Sequence, residues 1–194
     1  MQSNLAYQEA YEEKWRKELV DGKVIMMAPA TVNHNRIARN ISSIFDVYLR
    51  GKPCEYFPDG VGLYLNAKEQ YIPDGMVVCD PDKVKADGVH GAPDLVVEVL
   101  SPNTGRNDKG HKKDVYERYG VREYWIVSPA ERSVEQYVLR DGKFVLHDMY
   151  YKYPDYLLIH MTDEEKAAIV TEFKCSLFDD LIIQVDDIFG RVVV

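Results

Sequence analysis

Residues 92–102, Ala92-Pro93-Asp94-Leu95-Val96-Val97-Glu98-Val99-Leu100-Ser101-Pro102, decide the fold. The apolar run is short and valine-rich, with Pro93-Asp94 before it and Ser101-Pro102 after, which predicts a strand. A bend rich in Gly, Asn, Asp and Lys follows. Then come the helical pattern Lys112-Lys113-Asp114-Val115-Tyr116-Glu117-Arg118-Tyr119-Gly120 and a second apolar run, Glu123-Tyr124-Trp125-Ile126-Val127-Ser128. The order is strand, crossover helix, strand. Along the first strand Asp94, Val96, Glu98 and Leu100 share one face and Leu95, Val97 and Val99 the other. Both faces are largely apolar, as in a central strand covered on each side. A carboxylate buried in such a strand is costly unless it is paired or binds a metal, so Glu98 needs a partner.

Upstream, residues 5–18 form an amphipathic pattern that predicts a peripheral helix anchored by Leu5, Trp15 and Leu19. Asp21-Gly22 between two apolar runs predicts a hairpin. After Ala28-Pro29-Ala30, Thr31 or Asn33 can cap a core helix in which Ile37, Ile41, Ile44, Phe45 and Tyr48 recur at three- and four-residue steps. Short strands are expected at 54–57 and 61–65 around Pro58-Asp59-Gly60, and another at 71–79 entered through Pro73. A mobile stretch from Asp80 to Gly91 leads into the opening strand. Downstream, Asp141-Gly142 predicts a second hairpin from Ser133 to Met149. The tail holds strand-like segments at 168–173 and 181–185 and a short last helix at 187–189. The expected fold class is α+β: one domain over residues 1–194, with strands 76–79, 94–100 and 123–128 at its centre.

Composition narrows the function classes. The hydrophobic fraction of 46% excludes disorder, and no apolar stretch approaches the length of a membrane span. The N-terminus lacks a signal peptide's basic-then-apolar order, so a cytoplasmic protein without a membrane partner is expected. The net charge of −8 argues against a surface that is basic all over, the simplest nucleic-acid footprint, although Arg106, Lys109, Lys112 and Lys113 make the bend locally basic. Lys113 and Glu117 are spaced to pair on the helix surface. Cys54, Cys79 and Cys175 are odd in number and far apart, which predicts buried thiols rather than a disulfide or a zinc site.

Glu98 has two candidate partners. If strands 76–79 and 94–100 are neighbours, Asp74 lies beside Glu98, and two such carboxylates repel unless a cation sits between them. Oxygen ligands at a site that keeps some water suit Mg²⁺ or Mn²⁺. On the helix, positions 112, 115, 116 and 119 form the stripe that faces the sheet, so Lys112 points inward and Lys113 to solvent. An inward lysine there is either a structural counter-ion or a catalytic group that stabilises developing negative charge. Residue types alone leave these balanced.

The motifs Ile72-Pro73-Asp74, Pro93 to Glu98 and on to Pro102, Asp108-x-x-x-Lys112-x-x-x-Tyr116-x-x-x-Gly120, and Glu123 to Val127 together resemble the Uma-two family of restriction-endonuclease-like proteins, within the PD-(D/E)XK superfamily. The early Asp-Gly hairpin, the helix entered at His34 and the closing Ser-Leu-Phe-Asp-Asp-Leu at 176–181 extend the resemblance over nearly the whole chain. Individually these motifs are weak; their order and spacing carry the resemblance. It implies a restriction-endonuclease-like αβββαβ core with a mixed sheet flanked by helices. It also implies a hydrolase: a DNA endonuclease whose magnesium or manganese is held by Asp74, Glu98 and the carbonyl of Val99, with water activated at the metal. In one respect the chain departs from the superfamily, which places a lysine two residues after the Glu, where this chain has Leu100. Lys112 matches the position to which the family's lysine has moved.

Asp94 sits four residues before Glu98 on the same strand, too far along it to share an ion, and is expected to open the strand; Asp59 belongs to a turn. His34 can reach the site or cap its helix. Asp108 can orient Lys112 or act as an N-cap, Ser101 can serve the site through its hydroxyl, and Arg106 and Lys109 can contact DNA. Tyr116 and Tyr119 are expected in the core first. Two other classes compete with the endonuclease: a non-catalytic relative that binds nucleic acid or protein, and a structural oligomer in which Glu98 and Lys112 form a buried ion pair. Cutting two strands is served by two sites, which a homodimer would supply.

Overall fold

The apolar alternation of the opening strand is realised as the centre of a six-stranded sheet. In the computed structural model, which describes residues 16–102 and 104–193, this sheet has the order β12 (Lys143–Tyr151), β11 (Ser133–Arg140), β10 (Glu123–Ser128), β9 (Leu95–Val99), β6 (Gly75–Val78), β3 (Glu55–Pro58). β9 and β10 run parallel, joined by the crossover, and every other neighbouring pair is antiparallel, so the sheet is mixed. The core helix Val32–Tyr48, capped by Thr31 whose side chain accepts the His34 N–H, covers one face. Its Ile37, Ile41 and Phe45 are buried against Val77, Leu95, Val97 and Trp125. The opposite face, which carries Val96, Tyr124 and Ile126, packs against Val115 and Tyr116 of the crossover.

Also packed on that face is a second sheet, of order β2 (Lys23–Met26), β1 (Lys17–Val20), β5 (Gln70–Tyr71), β4 (Leu63–Tyr64), β8 (Gly88–His90), β7 (Val84–Lys85). Leu63, Tyr71 and Val89 from it complete the apolar layer. Both predicted hairpins form, with positive φ at Asp21, Gly22, Asp141 and Gly142, as a two-residue primed turn requires. Among the described residues no helix is long and apolar enough to cross a membrane.

Several expectations need correction. Most of the predicted N-terminal helix lies outside the described residues, but its last residues, Lys17 and Glu18, belong to β1, because the hairpin ladder pairs them with Met26 and Ile25. The single strand expected at 71–79 is split into β5 and β6 at the loop through Pro73, which cannot donate to a ladder. The stretch from Asp80 to Gly91, expected to be mobile, holds a 3₁₀ turn at Pro81–Lys83 and the β7–β8 pair. In the tail, residues 163–167 are helical behind a Thr162–Glu165 capping box, and the strand there is confined to β13 (Glu172–Lys174), paired with β14 (Ile182–Gln184).

Cys54 and Cys79, expected as free thiols, form a disulfide. β3 and β6 are antiparallel with Glu55 opposite Val78, and one more step along the ladder puts Cys54 opposite Cys79, with Cα atoms 4.0 Å apart. Separation in sequence does not report cross-strand register. Cys175 is free and buried, as expected. The Lys113–Glu117 pair does not form: Glu117 accepts from Lys143 and from the Phe144 N–H, and the Lys113 amine lies 3.7 Å from the centre of the Tyr137 ring. Tyr119 lies at the surface rather than in the core, where its hydroxyl meets Asn66.

Candidate active site

Antiparallel pairing of β6 with β9 sets Gly75 opposite Val97, so Asp74, one residue before β6, falls opposite Glu98. Asp74 Oδ2 accepts the backbone N–H of Val99 at 2.7 Å, which ties the carboxylate to the strand that bears Glu98. Gly75 is required here by close approach. A Cβ on it would lie 1.9 Å from the hydroxyl of the buried Tyr56, so a side chain here would force the Tyr56 ring or the backbone of β6 to move.

The crossover delivers the third group. It begins with a helical turn at Gly105–Asn107, continues as a π-helical stretch Asp108–Lys112 and ends as the α-helix Lys113–Tyr119, which Gly120 closes in the left-handed conformation. π-Helical insertions widen the turn and recur at functional sites. Here the stretch buries both Asp108 and Lys112. The Lys112 amine lies 3.1 Å from Glu98 Oε1, 2.9 Å from Glu18 Oε1 and 3.5 Å from Asp108 Oδ1. Tyr116 donates its hydroxyl to the same Glu98 oxygen at 2.9 Å.

Burial pushes the Glu98 carboxyl well above its ordinary range. The Lys112 ammonium opposes that shift, and the charges of Asp108, Asp74 and Glu18 reinforce it. Asp108 is raised in the same direction, chiefly by burial. For Lys112 burial favours the neutral amine, but Glu98, Glu18 and Asp108 outweigh it and hold the proton on. His34 Nε2 lies 3.2 Å from Asp74 Oδ2. Burial lowers its pKa, and the carboxylates of Asp74 and Asp59 with the Val99 backbone oxygen more than reverse the effect, so it is raised overall.

Asp74, Glu98, Val99, Lys112, Asp108, His34 and Ser101 line one cleft of about 750 Å³, to which Arg16 and Asp59 also contribute. Ser101 is turned toward Thr104, with which its hydroxyl bonds at 3.0 Å. Tyr116 stands behind Glu98 rather than on the cleft wall. Arg106 and Lys109 are exposed and absent from the cleft lining, and the Lys109 amine is paired with Glu135. Asp108 does not cap the crossover helix; it is buried beside Lys112. Asp94 accepts the Cys79 N–H and pairs with Arg122, a strand-end role. Glu18 was not singled out from the sequence. It is the buried member of a strand whose other residues are half-buried or exposed, so its alternation gave no signal.

The Uma2 family profile, described as "Putative restriction endonuclease", matches residues 5–165. This chain belongs to the Uma2 family. An uncharacterized Synechocystis protein, slr1290, is 32% identical over 135 residues, covering 68% of the Uma2 chain and 71% of its own length. A second, sll1609, is 29% identical over 126 residues, covering 63% and 71%. A crystal structure from Anabaena variabilis, described as a putative nuclease belonging to DUF820, aligns over 91% of both chains with a TM-score of 0.68 and 16% identity. The Uma2 chain therefore has the restriction-endonuclease-like α/β fold of the PD-(D/E)XK-like superfamily.

Proposed function

We propose that this Uma2 chain is a divalent-metal-dependent endonuclease that hydrolyses DNA phosphodiester bonds in the cleft built on Asp74 and Glu98. The observation that carries this reading is the placement of Asp74 opposite Glu98 with the Lys112 amine against Glu98. Family membership and the fold support it.

The donors fit a hard cation. Asp74, Glu98, Asp108 and Glu18 gather four carboxylates around Lys112 and His34, leaving the cluster short of positive charge, and the buried Asp108 Oδ1 has no hydrogen-bond partner among the described residues. Crowded carboxylates of this kind favour a shared divalent ion. Among the described residues no three His, Cys, Asp or Glu side chains are grouped to hold a metal on their own. Asp74, Glu98 and the Val99 carbonyl would therefore hold the ion together with water, which suits Mg²⁺ or Mn²⁺. When bound, such an ion lowers the pKa of a water and offsets phosphate charge.

The remaining groups belong to the chain itself. Lys112, kept protonated by its carboxylates, presents positive charge from the crossover helix, while Leu100, at the usual lysine position, is packed with the apolar layer. Tyr116 and Lys112 both bond Glu98 Oε1, which leaves Oε2 for a ligand. His34 orients Asp74 and, when protonated, faces an incoming phosphate with a cation.

Incubating the purified chain with plasmid DNA and Mg²⁺ or Mn²⁺ tests the reading. Cleavage is expected, and Glu98→Ala is expected to lower it at least about a hundredfold in a protein that still folds. Full cleavage by that variant would sink the assigned site. The Lys112 amine already bonded to Glu18 and Glu98 favours one alternative, a non-catalytic binding module, which a wild-type chain that neither takes up Mn²⁺ nor cleaves DNA would select.

A further inference from the structure

We propose that Glu18 is a positioning residue: it draws the Lys112 amine toward β1 and so keeps Glu98 available to a cation in the cleft. The proposal rests on the metal reading above. Glu18 Oε1 accepts from the Lys112 amine at 2.9 Å and from the backbone N–H of Ile72 at 2.9 Å. The Lys112–Glu98 distance is longer, 3.1 Å, and Asp108 is farther still at 3.5 Å. Lys112 is 2% exposed and Glu18 5%, so neither charge can relax into solvent. The ammonium donates to Glu18 and Glu98, while Asp108 faces it at 3.5 Å as a charge without a hydrogen bond.

The division matters because a metal and an ammonium compete for the same carboxylate. With the Glu18 charge gone, the buried amine has to lean on Glu98 and Asp108, and any cation must displace it from Glu98. Through Ile72 the same oxygen also pins the loop two residues before Asp74. A single carboxylate on the first hairpin therefore governs the amine and steadies the Asp74 loop. This gives the second sheet a part in the site beyond the cleft wall that Arg16 and Met27, at the ends of its first hairpin, help to form.

Titration calorimetry with Mn²⁺ tests it on the full chain. Glu18→Gln keeps an oxygen for the Ile72 N–H and the shape of β1, so its circular dichroism and unfolding temperature are expected to stay close to wild type. Its Mn²⁺ affinity is expected to fall about 10- to 100-fold, the range for a residue acting through a ligand's neighbour. In a Lys112→Met background, where there is no amine to release, the same substitution is expected to leave Mn²⁺ affinity unchanged. Wild-type affinity in Glu18→Gln alone overturns the proposal and leaves the metal reading standing. An equal loss in both backgrounds overturns it too, because Glu18 would then act independently of Lys112. A wild-type chain that takes up no Mn²⁺ overturns the metal reading and the proposal together.

Discussion

Two buried glutamates on adjacent parallel strands, Glu98 on β9 and Glu123 on β10, are held in opposite ways. Glu123 is fully buried and accepts from the Trp125 indole, the Gln136 amide, and the backbone N–H and hydroxyl of Ser176, with the Cys175 sulfur at 3.6 Å. Its partners are neutral dipoles, and they anchor the C-terminal segment to the sheet. Glu98, by contrast, shares a lysine with two other carboxylates, faces Asp74 and lines a cleft. A carboxylate saturated by fixed dipoles serves stability; one crowded by other carboxylates at a cleft is poised for a cation.

The sharpest way to break this contrast is to remove each glutamate and measure unfolding. Glu123→Ala strands several buried donors at once and is expected to cost about 3 kcal/mol or more in urea denaturation, because each orphaned donor bears its own desolvation penalty. Glu98→Gln removes a charge from an over-acidic cluster while Glu18 and Asp108 still hold Lys112, so a change within about 1 kcal/mol is expected. Comparable losses in the two variants would abolish the distinction.

A smaller effect concerns Tyr56. Its hydroxyl is buried over Gly75 without a hydrogen-bond partner among the described residues. Tyr56→Phe deletes that unpaired group, and the unfolding free energy is expected to be unchanged or higher by up to about 1 kcal/mol. A clear loss of stability would show that the hydroxyl is satisfied in solution.

The smallest effect is a pH dependence at Glu69, the residue immediately before β5. Burial pushes its carboxyl up, but donation from Tyr71, the Asp21 N–H and His111 outweighs burial and leaves it lowered. A lowered folded pKa contributes stability above the unfolded carboxyl pKa, and that contribution is lost as pH falls through the folded one. The thermal stability gap between wild type and Glu69→Gln is therefore expected to narrow on acidification. A gap that widens there would contradict the assignment.

Much of this molecule is local and legible in residue order. The strand from Leu95 to Val99, the two Asp-Gly hairpins and the core helix follow from periods of two and 3.6 and from turn chemistry, which depend on neighbours within a few residues. Helical periodicity turned Lys112 inward, and alternation marked Glu98 as a carboxylate in an apolar strand; Lys113, expected in solvent, is instead half-buried against the Tyr137 ring. What tertiary structure alone decided is which distant groups meet. Asp74 opposite Glu98, Cys54 opposite Cys79, Glu18 on Lys112 and Ser176 on Glu123 all depend on strand register and on how layers stack. Those contacts join segments tens of residues apart, and no local periodicity encodes them, because register is settled only when whole apolar faces are buried together.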